Sequence, residues 1–600
     1  MKALVPAALL LVGCGGNLAQ GVGAPFSETW QSDQGKSIAA LEERLRSQPA
    51  PGATPVAVGV TDGALVGRAL PSGQRWSHAG SVDTVPIVAG ELVVASSGGQ
   101  LFALDAKTGQ QLWSVPIESR VLRGASDDGT YTVAVVAPTD NQRKSRFLAI
   151  TRKGDIARDI DAHIDLGFPA VKGGIGFIPW SNQYVSAIDL KTGEEVARLL
   201  LREIVTQARN FGGELWFGER GLVRFDDKIR LATTNQGTHV ELPKRELPGK
   251  PVWLGSGNQL WPVNSSARLK IRLSATPQAQ PESPHFAGHT YLASYFRVVL
   301  GLSDKDGALR FVKPLSADAL GGSAARHGYA ICDASGKVSL LSEQGGDAGS
   351  SDLGARLLAC TVDIATLDLP SAAPASLAEQ LGQALTELTP DMAVAQKLLV
   401  DELIKLDDPR VTQTLIDLTS STKIPPDLRA AARKLIASRR SGKEYMLAAL
   451  ERHYDYLSDV LLPPPLGPLA DALAAMNETA AAPLLARHLN DPANEMADVE
   501  RAAVALGKLA SAAQYEDLRT FFALYRATAD EPSLVSAVVA VGAALVRVGG
   551  GQGKALVERA AQDPLTQSDV KRGLSALLTP ESAGPGAAKS PNVAQNGPRP

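Results

Sequence analysis

Two histidines four residues apart, His285 and His289, are the first residues whose spacing could do chemistry, because it can set two imidazoles on one helical face around a metal ion. Pro284 and Gly288 argue against a helix there, and no third ligand lies nearby, so a solvent-exposed loop is the plainer reading. Asp304-Lys305-Asp306-Gly307 opens like a calcium loop. Its glycine comes too early, and the position that should supply a bidentate carboxylate holds Leu315, so a hairpin turn is expected instead. Gly549-Gly550-Gly551-Gln552-Gly553-Lys554 invites comparison with a phosphate-binding loop. That loop would need glycine where Val548 stands and serine or threonine where Ala555 stands, so the stretch reads as a connector between helices. There is no nucleophile elbow and no Cys–His pairing suited to covalent catalysis. The sequence therefore offers no catalytic residue, no metal ligand and no cofactor site.

The cysteines, Cys14, Cys332 and Cys360, carry a different chemistry. Lys2, the apolar run Ala3–Val12 and Gly13 precede Cys14; this is an export signal, too short to span a bilayer. Leu11-Val12-Gly13-Cys14 resembles the lipobox of bacterial lipoproteins. The resemblance implies cleavage before Cys14, diacylation of its thiol and a further acyl chain on the new amino group. At ~0.8 kcal/mol per buried CH₂, three chains suffice for stable anchoring. Gly15 stands where such proteins carry an aspartate when retained at the inner membrane, so the periplasmic side of the outer membrane is implied. The alternative, set behind lipidation of Cys14, is a cleaved secretory peptide with an incidental cysteine. In an exported protein Cys332 and Cys360 would meet an oxidising compartment. Both sit in apolar strand-like text, Tyr329–Cys332 and Leu357–Cys360, and could either close a disulfide across the last strands or pack as buried free thiols.

The elements that must position these residues are repeats. Glu91–Trp113 reads as three short strands, Leu92–Ala95, Leu101–Leu104 and Gln111–Val115, joined by turns at Gly98-Gly99 and Asp105–Gly109. Such a meander leaves sheet edges and one apolar face uncovered, so it implies copies of itself. Copies follow at Leu65–Trp76, Phe147–Gly154 and Val185–Gly193, with turn glycines at 73, 109, 154 and 193 spaced 36, 45 and 39 residues apart. Weaker copies run around Leu215–Asp226, Gln259–Leu273, Val299–Phe311 and Gly328–Ser342. The count predicts an all-β propeller of seven or eight four-stranded blades over residues 54–369. Trp76, Trp113, Trp216 and Trp253 are expected to pack blade against blade.

The strand, Ala-Leu-Asp, Thr-Gly turn and Trp of this cassette resemble the blade repeat of pyrroloquinoline-quinone-dehydrogenase-like propellers, closely at 90–113 and 183–193 and faintly after about residue 205. Enzymes of that family add an adjacent Cys-Cys disulfide, a calcium site and a catalytic aspartate. This chain has no Cys-Cys pair and no convincing cluster for the metal.

After Pro370–Ser376 the text becomes rich in Ala and Leu. Segments starting at Met392, Leu428, Leu466, Val499, Leu534 and Val570 recur every 33 to 38 residues, several after Asp-Pro at Asp408, Asp491 and Asp563, where the aspartate can cap the next helix. Paired helices at this period stack into a solenoid, and Val499–Gly507 resembles a HEAT repeat. The expected organisation is a signal peptide with lipobox at 1–14, and a tether with a short helix over Ser37–Ser47 at 15–53. The propeller occupies 54–369, a linker 370–379, an all-α HEAT-like solenoid 380–580 and a disordered tail 581–600.

Among the 600 residues, 20% are charged and the net charge is −3 with no long basic run, which excludes a general nucleic-acid binder. Past the N-terminus no stretch reads as approaching the ~18–20 apolar residues needed to cross a bilayer. A lipoprotein with this type of propeller resembles the propeller lipoproteins of the outer-membrane β-barrel assembly machinery over residues 1–370, though these end with the propeller and lack a solenoid. The resemblance implies a non-catalytic, membrane-tethered periplasmic scaffold for envelope proteins. The alternative is a periplasmic ligand-binding or quinone-dependent dehydrogenase propeller.

Overall fold

The computed structural model describes residues 41, 44–45, 48–49, 51–139, 145–162, 164–200, 205–211, 214–218, 222–224, 245–247, 250–255, 259–262, 271–273, 290–303, 308–325, 327–364, 366–421, 423–452 and 463–579. The chain divides into two compact units, one of Met1–Leu388 with Val394–Glu402, the other of Thr389–Ala393 with Leu403–Pro600.

The first unit is built of antiparallel sheets, numbered I to VII. Sheet I joins Arg75–Ala79, Ala64–Ala69 and Val56–Val60 to the last strand, Ala359–Asp363. Sheets II (87–116), III (120–162), IV (170–200) and VII (319–352) are four-stranded meanders; sheet V (207–224) has three strands and sheet VI (245–314) has seven. This corrects the expected propeller of seven or eight four-stranded blades: the sheets are unequal and do not close into such a ring. In sheet VI pairing is continuous, with Arg272 opposite Ser294, where a boundary between two blades would have fallen. Between Gln207 and Thr290 the sequence has no Asp-x-x-x-Gly turn of the kind that ends a hairpin in the earlier copies.

Where the cassette is intact, it folds as its residue types require. Asp105 Oδ1 accepts the backbone N–H groups of Lys107 and Thr108 at 3.0 and 2.8 Å, and Asp189 Oδ1 does the same for Lys191 and Thr192 at 2.8 and 3.0 Å. These aspartate turns hand the chain to Gly109 and Gly193, whose φ angles of 71° and 85° suit glycine. The cores lie between consecutive sheets. Val56, Val58, Leu65 and Trp76 of sheet I meet Val93, Ala95, Phe102 and Leu104 of sheet II, and Trp113 of sheet II meets Val136 and Leu148 of sheet III. Neighbouring sheets are stitched by buried serines: Ser96 Oγ, on the second strand of sheet II, accepts the N–H of Leu122 on the first strand of sheet III, and Ser126 Oγ, on that strand, accepts that of Val171 on the first strand of sheet IV, both at 3.2 Å. Within the short helix expected near the N-terminus, Leu41, Arg44 and Leu45 are helical. Leu41 is buried in the core shared by sheets IV and V, and Arg44 pairs with Asp189.

Helix α1 (Leu377–Glu387) starts in a capping box between Ser376 and Glu379, and Gln380 Oε1 accepts the N–H of Val312 on the edge strand of sheet VI at 3.0 Å. Helices α2 (Ala393–Leu403), α3 (Arg410–Ser420), α4 (Pro426–Ser438), α5 (Lys443–Leu450), α6 (Leu466–Ala475) and α7 (Ala482–His488) follow. They are succeeded by α8 (Met496–Leu509), α9 (Tyr515–Tyr525), α10 (Pro532–Gln562) and α11 (Ser568–Leu578). In the second unit α4, α6, α8 and α10 neighbour one another in that order, so alternate helices form a layer of a helical-repeat array, and α11 packs on α10.

Two expectations need correction here. Asp408 accepts the N–H of Arg410 at 2.9 Å, right at the start of α3. Asp491 and Asp563 accept from Ala493 and Leu565, but α8 and α11 begin later, so those aspartates cap turns; the side chain of Gln567 caps α11. The second correction concerns α10, which is long and apolar enough to cross a membrane by composition, with an 18-residue window of mean hydropathy 1.8. Its chain breaks at Gly550 (φ 49°, ψ −127°), and Ala537, Val538, Val541, Ala544 and Leu545 are buried where it packs between α8 and α11. These buried residues give the helix a core role in the helical array.

Candidate interaction surfaces

Cys14 and its lipobox, His285 and His289, and Asp304–Gly307 lie outside the described residues, as do the side chains of Trp216 and Trp253. Among the described residues no group of three or more His, Cys, Asp or Glu side chains could hold a metal ion.

Trp76 and Trp113 are packing residues. Trp76 donates from Nε1 to the carbonyl of Ala106 at 3.0 Å, and its ring lies 2.6 Å from where a Cβ on Gly109 would stand. Trp113 meets Gly154 of the next sheet with its own Cβ, 2.8 Å from that virtual Cβ, and with its ring from 3.8 Å. The outermost strand of one sheet thus lays a large side chain on the turn glycine of the next, and no ligand cage is formed. Cys332, on Gly328–Asp333 of sheet VII, and Cys360, on the last strand of sheet I, face each other with Cα atoms 6.4 Å apart.

Sequence reasoning missed two polar clusters. In sheet IV, Trp180 Nε1 donates to Ser186 Oγ at 2.8 Å, and Ser186 donates to Glu195 at 2.6 Å. Arg198 forks onto Glu195 and lies 5.4 Å from the Trp180 ring, which stacks on Tyr184 at 4.3 Å. Burial pushes the Glu195 carboxyl up, opposed by the hydrogen bonds from Arg198 and Ser186. At the end of Arg120–Asp127, Asp127 accepts from Thr132 Oγ1 at 2.7 Å, from the N–H of Gly129 at 2.8 Å and from Arg152 Nη2 at 2.9 Å. Burial pushes Asp127 up to about 6, against the pull of Thr132 and Arg152. Asp127-Asp128-Gly129 is a hairpin signature in the sequence, but nothing local to it reveals the burial. The first cluster ties three strands of sheet IV to one another, and the second ties the Asp127–Gly129 turn of sheet III to Thr132 and Arg152.

The exposed features are strand edges. Each sheet has two edge strands: Arg75–Ala79 and Ala359–Asp363, Ile87–Ala89 and Gln111–Pro116, Arg120–Asp127 and Ile156–Ala162, Ala170–Lys172 and Glu195–Leu200, Gln207–Phe211 and Leu222–Arg224, Arg245–Leu247 and Leu309–Pro314, and Ala319–Ala325 and Asp347–Asp352. Among these edges of the described residues, Gln111-Leu-Trp-Ser-Val-Pro116, Ile87–Ala89 and Ala319–Ala325 carry no Lys, Arg, Asp or Glu. Charges on an edge blunt unwanted strand pairing. Gln111–Pro116 lacks them and exposes Leu112 to 41%, leaving backbone groups that suit another extended chain.

Residues 77–199 match the model of a protein family described as outer membrane protein assembly factor BamB. No curated protein sequence matches the chain. Among solved structures, BamB from Moraxella catarrhalis is similar over 53% of this chain and 88% of its own, at 16% identity and a TM-score of 0.26. Apo AztD from Citrobacter koseri is similar over 52% of this chain and 98% of its own, at 11% identity and a TM-score of 0.34. A computationally designed protein, Ika8, gives 53% and 94% coverage at 9% identity and a TM-score of 0.30. The family match spans sheets II and III and most of IV, the part of the chain that holds Gln111–Pro116.

Proposed function

We propose that this chain is a non-catalytic, lipid-anchored scaffold on the periplasmic side of the bacterial outer membrane, where it binds envelope proteins concerned with outer-membrane protein assembly. The observation that carries the reading is the family match over 77–199, which contains the uncharged edge strand Gln111–Pro116. The export signal and the Cys14 motif support the location. An extended segment of a partner adds to Gln111–Pro116 as a further antiparallel strand, with main-chain hydrogen bonds supplying affinity and Leu112 an apolar contact.

In-cell crosslinking followed by purification from membranes tests this. Wild-type protein is expected to recover outer-membrane assembly proteins, and Leu112→Lys with Ser114→Lys is expected to reduce that recovery about ten-fold while melting normally. Reproducible recovery of no envelope protein would overturn the scaffold reading; full recovery by the double variant would move the contact off this edge. Cys14→Ser is expected to shift the protein from the membrane to the soluble fraction, and continued membrane retention refutes the anchor.

A further inference from the structure

Ala359–Asp363 is the last strand of the sheets, yet it pairs with the first: Val56 lies opposite Asp363, Gly59 opposite Cys360 and Val60 opposite Ala359. Bringing these ends together carries the closure entropy of the whole intervening chain, and a five-residue strand contributes few hydrogen bonds against it. The side chain that could hold the strand is Cys360. On one flank it faces Gly59; on the other, its carbonyl oxygen sits 2.4 Å from where a Cβ on Gly321 would stand. Gly321 pairs directly with Cys332. The missing side chain at Gly321 therefore lets the last strand approach closely enough for the two cysteines to meet, with Cα atoms 6.4 Å apart, inside the range of about 4.4–6.8 Å that a disulfide spans. Both cysteines are buried, 0% and 5% exposed, among Ala57, Val338, Leu340, Leu353 and Ile364.

We infer that the Cys332–Cys360 disulfide is an oxidation-set clasp that ties the last strand, itself paired with the first, to Gly328–Asp333 of sheet VII, installed by thiol–disulfide exchange with a disulfide-bearing oxidoreductase. One cysteine thiolate attacks the oxidoreductase disulfide and forms a mixed disulfide, expelling one oxidoreductase thiolate. The second cysteine thiolate then attacks the sulfur of its partner, forming the internal bond and expelling the other. Two protons leave the cysteines, and two electrons end on the oxidoreductase as a dithiol. Both sulfurs are enclosed in the packed unit, so exchange precedes final docking of Ala359–Asp363, and the finished bond is shielded from soluble thiols. The clasp is independent of the scaffold reading.

The test uses the full chain, purified from an oxidising compartment, then reduced in denaturant and refolded with or without oxidised glutathione. Peptide mapping without reductant is expected to recover Cys332 linked to Cys360, and millimolar glutathione is expected to leave the native bond intact. In the thiol form, amide exchange over 359–363 is expected to be about ten-fold faster, with 145–151 unchanged. The melting midpoint of the sheet unit is expected to fall by about 5 °C. The Cys332→Ala/Cys360→Ala double variant should match the reduced wild type, which remains the readout if that variant does not fold. Two alkylatable thiols in the oxidised native protein, or equal exchange over 359–363 in the oxidised and reduced forms, would overturn the clasp.

Discussion

At Gly109 two requirements meet on one residue. Its φ of 71° is a conformation that side-chained residues enter at about 1–2 kcal/mol, and the Trp76 ring occupies the space a Cβ would need. Gly63 has a φ of 99° with nothing within 4 Å of its virtual Cβ, so it isolates the backbone part. Urea unfolding of Gly109→Ala is expected to show a loss of about 2–4 kcal/mol, and Gly63→Ala a smaller one. Equal losses would mean that Trp76 moves aside without cost. Asp127 makes a pH-dependent contribution. Its carboxyl is raised from 3.8 to about 6 in the folded protein, so between those values the native state holds more proton than the unfolded chain. Stability attributable to Asp127 therefore falls as pH rises from about 4 to 6, by up to about 1.4 kcal/mol per pH unit. Relative to Asp127→Asn, the wild type is expected to lose ground over that window and run parallel above it; a difference flat from pH 4 to 7 would show that Asp127 ionises normally.

At the scale of elements, neighbouring helices finish one another. Arg547 of α10 donates to the carbonyls of Leu506, Gly507 and Ala510, the end of α8, and Lys508 of α8 donates to that of Ala474 at the end of α6. Leu506 O also accepts from the N–H of Ala510 at 3.0 Å and Ala474 O from that of Asn477 at 3.2 Å, so these side chains supplement the helix-end bonds, and a guanidinium can serve several carbonyls at once. Arg547→Ala is expected to cost about 1–2 kcal/mol in the helical unit, with Arg547→Lys recovering part of it; chemical denaturation followed by helical circular dichroism measures both. The helices were legible because the recurring segments beginning at Met392, Leu428, Leu466, Val499, Leu534 and Val570 all fall on them, and apolar periodicity is a local signal. The intact cassettes were legible for the same reason: aspartate turn, glycine and tryptophan act within one hairpin or on the next. Sheet VI was not, since it depends on where pairing stops, and nothing in its sequence marks a stop. The sequence of Gln111–Pro116 marks a strand but not an edge, because its lack of charge gains meaning only when the sheet order shows one side of it unpaired. The Trp180–Glu195 network eluded the reading because its members come from three different strands.

At the scale of the whole molecule, the chain holds two kinds of core. In the first unit apolar contacts lie between sheets and the first and last strands pair; in the second they lie between successive helices. Long-range strand pairing and local helix stacking lose structure differently on heating: one depends on ends brought together across the unit, the other on neighbours in sequence. Thermal unfolding is therefore expected to show two transitions, one following the strand signal and one the helical signal in circular dichroism. Only the strand transition is expected to move when the protein is reduced in denaturant and refolded, because Cys332 and Cys360 both lie in the sheet unit. A single transition seen by both signals, and shifted as a whole by reduction, would mean that the two units unfold as one cooperative body and that the clasp on Ala359–Asp363 supports the helices as well.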